Sequence, residues 1–211
     1  MHRSDRIAAN LATIRSRIER AGGDPEAIEI VAATKNRPAD DCRAAVAAGV
    51  GSLGENRVQE ALAKIDEVPG ARWHLIGHLQ TNKVRHAGRF ELIQSLDSFR
   101  LAEALAARGG AAVLLEVNVA RERQKHGVEP GAAIATALAV AKLLDLRGFM
   151  GIAPLGRDPD PAFVELRRLR DGAEHRLGRA LPVLSMGMSE DLEAAVRAGS
   201  TMLRIGRALF D

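Results

Sequence analysis

The chain has no tyrosine, one cysteine, one tryptophan, and only five lysines against twenty-five arginines. Without tyrosine there is no phenol to act as acid or base, and a second copy of the chain could not supply one. A lone cysteine, Cys42, excludes an internal disulfide and any metal centre built from cysteine alone. In its alanine-rich stretch it reads as a small buried hydrophobe. Aromatics make up 3% of the 211 residues, and the arginines are scattered among acids with no block of one sign. Nucleic-acid surfaces cluster positive charge and often interleave aromatics for stacking, so no nucleic-acid partner is expected despite a net charge of +3. No segment approaches the apolar length that spans a bilayer. The N-terminal MHRSDRIAANLATIRSRIER carries no apolar block of signal-peptide length, so a cytoplasmic location and no membrane contact are expected. No G-x-G-x-x-G follows the first predicted strand, and neither a Walker A pattern nor G-x-S-x-G occurs, which removes positive support for dinucleotide, P-loop and hydrolase chemistry.

What is present is ordinary globular composition, 46% hydrophobic and 27% charged, enough for one domain over 1–211 with a substantial core. Residues 4–21 carry a helical stripe, Ile7, Leu11, Ile14 and Ile18, that stops at Gly22-Gly23. From there strands and helices alternate. Strands are predicted at 28–34, 50–53, 73–77, 92–96, 112–119, 146–152, 181–184 and 201–205. Helices are predicted at 40–48, from Asn56 to about Asp66, at 80–87, 98–108, 130–144, 161–177 and 189–198, with a stub at 207–210. Repeated β-α units imply a parallel sheet with helices outside. Eight of them in this length suggest a single (β/α)8 TIM barrel with an extra N-terminal helix; an open doubly wound sheet is the alternative.

In such a barrel, chemistry gathers where strands end. The polar residues at predicted strand ends are Lys35, Asn56, His74, Ser95, Asp97, Asn118, Ser185 and Arg204, with Gly206 just beyond. Lys35 stands out: a primary amine can condense with an aldehyde, which a guanidinium cannot usefully do. The alternative is a solvated lysine at a strand end. Two C-terminal segments suit a phosphate. Ser185-Met186-Gly187-Met188-Ser189 runs into a helix that Ser189 is expected to cap, and Arg204-Ile205-Gly206-Arg207 runs into the stub. Ordinary capped turns look the same when taken singly. His74 is expected at the barrel mouth, His126 in an exposed loop, Trp73 packed between barrel and helix, and Asp97 as a cap for the helix starting at Ser98. His74 and His78 have a metal-ligand spacing but straddle Gly77 with no suitable carboxylate following, which argues against zinc.

Taken together, VAATKNRP, LGENRVQEALAKI, WHLIGHLQTNK, SLDS, LLEVNVARERQKHG, LRGFMGIAP and LSMGMSEDLEAAVRAGSTMLRIGRALF resemble the YggS/PROSC family of pyridoxal-phosphate-binding proteins linked to vitamin B6 homeostasis. The resemblance runs in order from about residue 28 to the C-terminus. It implies a barrel like the N-terminal domain of alanine racemase, and pyridoxal 5'-phosphate held as a Schiff base on Lys35. It also implies that Arg204 approaches the pyridine nitrogen, that Ser185, Gly206 and nearby backbone hold the phosphate, and that Asn56 lies in the cofactor region.

Two function classes follow. An arginine at the pyridine nitrogen is no proton donor, because its pKa is too high, so the ring stays a weak electron sink. Alanine racemase shares that setting and still catalyses, so the arginine alone does not exclude turnover. Racemisation, however, needs a second base opposite the lysine, a tyrosine from a further domain in alanine racemase. Here there is no tyrosine, the chain ends at Asp211 after the barrel closes, and Asn118 matches the lysine that many racemases carbamylate. Another residue, such as a histidine, would have to take that part. An open mouth leaves the cofactor wet, which is poor for catalysis and suited to loading and unloading. The expected protein is a non-catalytic carrier or buffer of pyridoxal phosphate with apo-enzymes as recipients, monomeric or weakly dimeric; a weakly active amino-acid racemase is the alternative.

Overall fold

The computed structural model describes residues 2–211. Its centre is a closed barrel of eight parallel strands in sequential order, β1 (Glu29–Ala33), β2 (Ser52–Glu55), β3 (Arg72–Leu75), β4 (Leu92–Leu96), β5 (Ala112–Val117), β6 (Asp145–Gly151), β7 (Val183–Ser185) and β8 (Met202–Ile205). β8 pairs with β1 through Ile30 opposite Leu203 and Val31 opposite Arg204, which closes the ring and excludes the open sheet. Outside lie α1 (Arg3–Arg20), α2 (Ala39–Ala47), α3 (Val58–Ile65), α4 (Phe99–Ala106), α5 (Pro130–Val140), α6 (Asp160–Leu177), α7 (Leu192–Arg197) and the four-residue α8 (Arg207–Phe210).

Strands such as β4 and β5 read as largely apolar runs because parallel strands are covered on both faces. One large cluster fills the space between barrel and helices, with Phe149, Phe163 and Phe210 among its fully buried side chains. A small separate cluster, Val31, Leu92, Leu114, Met150 and Met202, fills the barrel interior. Each fully buried side chain of this size contributes about 1.5–3 kcal/mol. Trp73 packs in the outer cluster, as expected. Cys42 is buried and free, and burial pushes its thiol up to about 11, so it is inert at neutral pH.

α1 has a structural task. α8 is too short to cover the β8–β1 seam, and α1 lies against α8, α2 and α7 instead. Its stripe of Ile7, Leu11, Ile14 and Ile18 is buried, Asn10 donates to the Leu209 carbonyl at 3.0 Å, and Arg17 forms a paired contact with Glu193 at 2.7 and 2.8 Å.

Two local expectations change. Residues Thr81–Arg89 form a 3₁₀ helix, not an α-helix. Its buried residues, Val84 and Ala87, are three apart, the repeat of a 3₁₀ turn, and buried Phe90 at the C-cap continues that spacing. α7 begins at Leu192 with Asp191 at its N-cap position. Ser189 serves the other helix: its hydroxyl accepts from the Ala208 N–H of α8 at 3.2 Å.

The β7–α7 turn depends on Gly187, which has φ +96°. A Cβ there would sit 2.5 Å from the Ala195 Cβ and 2.7 Å from Leu203 Cδ2. Gly187→Ala therefore combines left-handed strain with overpacking and should cost about 2–4 kcal/mol, read as a lower midpoint in denaturant unfolding.

Candidate functional site

Lys35 follows β1 by two residues, in a turn whose next residue, Asn36, is left-handed at φ +61°. The turn is held from both sides. On one side, Lys64 of α3 donates to the Thr34 carbonyl at 3.1 Å and to Glu55 at 2.6 Å, and the Thr34 hydroxyl donates to the same Glu55 oxygen at 2.7 Å. On the other, Arg37 pairs with Asp211 and lies over the Phe210 ring, 5.1 Å from its centroid. Of the five lysines, Lys64 and Lys125 are tied to carboxylates. Lys35 is exposed and lines a cavity of about 350 Å³ at the C-terminal mouth of the barrel.

The same cavity is lined by Arg204, Gly206, Arg207, Ser189 and Arg157. Arg204 rises from β8 and is only 4% exposed. Burial brings its guanidinium down to about 10, with Glu116 and Asp191 pulling the other way, so it is charged at neutral pH. Its Nη1 donates to Ser185 Oγ at 2.6 Å and its Nη2 to the Gly151 carbonyl at 2.9 Å. Ser185 therefore lies beneath the cavity, fully buried, and its hydroxyl donates onward to Gln94 Oε1 at 2.7 Å. Lys35, Arg204 and Gly206 are brought together in one cavity, with Ser185 directly below Arg204. Asn56 lines a neighbouring cavity of about 390 Å³ with His78, Glu116, Asn118, Lys125 and His126. Gly77 makes room for the Asn56 loop: a Cβ there would lie 2.3 Å from the Asn56 carbonyl oxygen.

Sequence reasoning passed over Gln94 and Arg157. Gln94 was visible as the one amide inside an otherwise apolar strand, a buried polar group that must find partners. Arg157 lies in the loop after β6 and carries no local signal. His74 is corrected: it sits inside the barrel, 2% exposed, and not at the mouth. Its Nδ1 lies 2.9 Å from Gln94 Nε2, and with the amide nitrogen as donor that ring nitrogen is an unprotonated acceptor. Burial holds its pKa down at about 4, against the upward pull of Glu29. Asp97 is corrected too, since Ser98 caps α4 by accepting from the Leu101 N–H at 3.3 Å. Asp97 instead contacts His78.

His74 makes acid stability a prediction. A histidine whose folded pKa lies below its ordinary 6.5 contributes stability that is complete above that value and lost as pH falls through about 4. The loss amounts to about 3 kcal/mol. Glu116, raised to about 7 by burial and then by Asp97, has the opposite sign: its contribution is complete below 4.5 and lost as pH rises through 7. Comparing His74→Gln with the parent isolates the first effect. Denaturant midpoints measured from pH 7 to pH 4 should fall less steeply in the variant.

Fold and site together define a β/α-barrel protein with a small-molecule cavity at its C-terminal mouth, furnished with an exposed amine and a buried guanidinium. The chain matches the alanine racemase N-terminal domain model over residues 3–211. The pyridoxal phosphate homeostasis protein of Aquifex aeolicus is 38% identical to it over 223 residues, covering 100% of this chain and 98% of that protein. This chain belongs to that family, the YggS/PROSC pyridoxal phosphate homeostasis proteins. The structure of PipY from Synechococcus elongatus with PLP bound superposes with a TM-score of 0.85 at 35% identity, over 97% of this chain and 100% of that one. Alanine racemase from Corynebacterium glutamicum shares the fold, with a TM-score of 0.79 at 18% identity over 97% of this chain and 60% of its own.

Proposed function

We propose that this chain binds pyridoxal 5'-phosphate covalently through Lys35 and serves its homeostasis as a carrier that takes up and hands on the cofactor. The observation that carries the reading is the meeting of one exposed primary amine and one buried guanidinium in a single open cavity. The donor set fits the group. Lys35 supplies the nitrogen that condenses with an aldehyde. Arg204 presents a fixed charge whose orientation is set by Ser185 and the Gly151 carbonyl. Gly206, Ser189, Arg207 and Arg157 furnish the side suited to an anion, where a glycine lets backbone approach closely. The volume lies within the range of small-molecule sites. Asn56, in the adjoining cavity, borders the approach.

When bound, pyridoxal phosphate supplies a reactive aldehyde and a ring that can withdraw electrons. The chain's own residues favour holding over turnover. Arg204 stays protonated and donates hydrogen bonds, so it does not deliver a proton to a ring nitrogen. Among the described residues, no histidine lines the Lys35 cavity, and the sequence has no tyrosine, so the second base that racemisation requires has no evident source there. Apo-enzymes are the natural recipients, and the setting is cytoplasmic, with the carrier a monomer or weak homodimer.

The test is transfer. Protein loaded with pyridoxal phosphate should restore activity to an apo-enzyme that needs the cofactor, and protein reduced beforehand with borohydride should not. Retention of the cofactor in the presence of excess apo-enzyme would oppose the carrier reading. So would sustained racemisation of alanine that disappears with Lys35→Ala.

A further inference from the structure

At the edge of the second cavity of the barrel mouth, which His78 and His126 line, lies a side-chain group that the Lys35 reading does not use. His78 follows β3, Asp97 follows β4, and His126 lies in the loop after β5, so three successive strand ends contribute one residue each. His78 Nδ1 lies 2.6 Å from Asp97 Oδ2, and His126 Nδ1 lies 3.6 Å from the same oxygen. The two rings are stacked at 4.1 Å with an interplanar angle of 9°. One ligand atom from each of the three residues can be chosen so that all lie within 4.8 Å of one another. The carboxylate is mostly buried, with a side-chain exposure of 10%, while the imidazoles are at 38% and 57%.

We propose that His78, Asp97 and His126 form a binding site for one divalent transition-metal ion of the zinc class, with its open coordination positions facing the cavity lined by Asn56, Glu116 and Asn118. The ligand set is right for such an ion: imidazole nitrogen suits zinc, copper, nickel and cobalt, and a carboxylate completes it. The spacing is right as well. With metal–ligand bonds of about 2.0–2.1 Å, neighbouring ligand atoms on a tetrahedral ion are about 3.3 Å apart. The two histidine–carboxylate separations, 2.6 and 3.6 Å, bracket that figure. Parallel rings aim their lone pairs side by side, so ligation requires both to tilt about χ2 toward a common point. Their exposure leaves room for that movement, while Asp97 provides the fixed anchor.

Charge points the same way. Glu116 shares the cavity, and after burial its largest perturbation is repulsion from Asp97. Arg204 offsets this only in part. A dication at Asp97 would relieve two carboxylates at once. Three protein ligands with free positions are the arrangement of a site that also takes water or a small-molecule donor, whereas a closed structural site uses four.

The test uses cofactor-free protein without an affinity tag, so its outcome is independent of the Lys35 reading. Cobalt(II) is titrated and followed by its visible ligand-field bands, then displaced with zinc. One equivalent should bind, and Lys35→Ala should leave the titration unchanged. His78→Ala and His126→Ala should each weaken binding by at least about tenfold, with unchanged circular dichroism, since losing a ligand should cost no less than losing an outer-shell partner. Asp97→Asn should weaken it too. Absence of saturable binding would overturn the proposal, as would an affinity indifferent to both histidine substitutions.

Discussion

Replacing Lys35 with alanine should abolish covalent capture of pyridoxal phosphate while leaving the fold intact. Parent protein mixed with the cofactor should develop a visible absorption band, and borohydride followed by peptide mass mapping should fix the label on Lys35. The variant should show neither. The expectation rests on chemistry that only an amine can perform, so Lys35→Arg, which keeps the charge, should fail as completely as alanine. Stability should hardly change. Lys35 is exposed in a turn, and the braces on that turn come from Thr34, Lys64 and Arg37. Surface substitutions of this kind stay within about 0.5 kcal/mol, or roughly 2 °C in melting temperature for a chain of this size. Label appearing on Lys64, Lys83, Lys125 or Lys142 of the parent would place the attachment elsewhere and defeat the assignment. Equal labelling of the parent and Lys35→Ala would do the same.

The longer strands were legible because most of their residues are buried and they are written as largely apolar runs, with turn residues between runs. Lys35 drew notice as a lysine following such a run in a chain that otherwise uses arginine, but a solvated strand-end lysine fits that pattern equally, and it was the family resemblance that made it a firm candidate. The barrel closure was harder, because eight β-α units also fit an open sheet. Only the pairing of β1 with β8 decides it. Local helix signals misled twice. Ser189 has the composition of an N-cap for the helix after it, yet its hydroxyl serves α8, a contact across the β7–β8 loops that no local window contains. The 3₁₀ segment at Thr81–Arg89 buries just two residues, too few to set a period by inspection. The His78–Asp97–His126 group was out of reach because its members come from three different loops and their separations are set by the barrel. The spacing of His74 and His78 was read against a zinc pair, and the structure separates the two: His74 is inside the barrel and His78 is at its mouth.

Lys64 illustrates how far the candidate site extends beyond its cavity. Its amine is 2.6 Å from Glu55, whose side chain is fully buried at the end of β2. One Glu55 oxygen, Oε1, accepts from both Lys64 and Thr34, and the other, Oε2, has no partner at all. The carboxylate therefore depends on Lys64 for its charge compensation. Lys64→Met keeps the length and apolar stem of the side chain and removes the ammonium, leaving a buried acid with a single hydroxyl donor. Breaking a buried pair in this way costs about 3–5 kcal/mol. For a chain of this size that corresponds to a fall of about 6–20 °C in melting temperature. Restoring neutrality by adding Glu55→Gln should recover much of the loss, because the cost lies in the uncompensated charge more than in the missing contact. The function should move separately from the stability. Lys64 also holds the Thr34 carbonyl, the residue before Lys35, so both the single and the double variant should bind pyridoxal phosphate more weakly while still labelling on Lys35. Thermal unfolding of the three proteins alongside cofactor titration distinguishes the two effects. A double variant as unstable as the single one would mean that packing, not charge, governs this site. Unchanged cofactor affinity in both would mean that the Lys35 turn holds its shape without this brace.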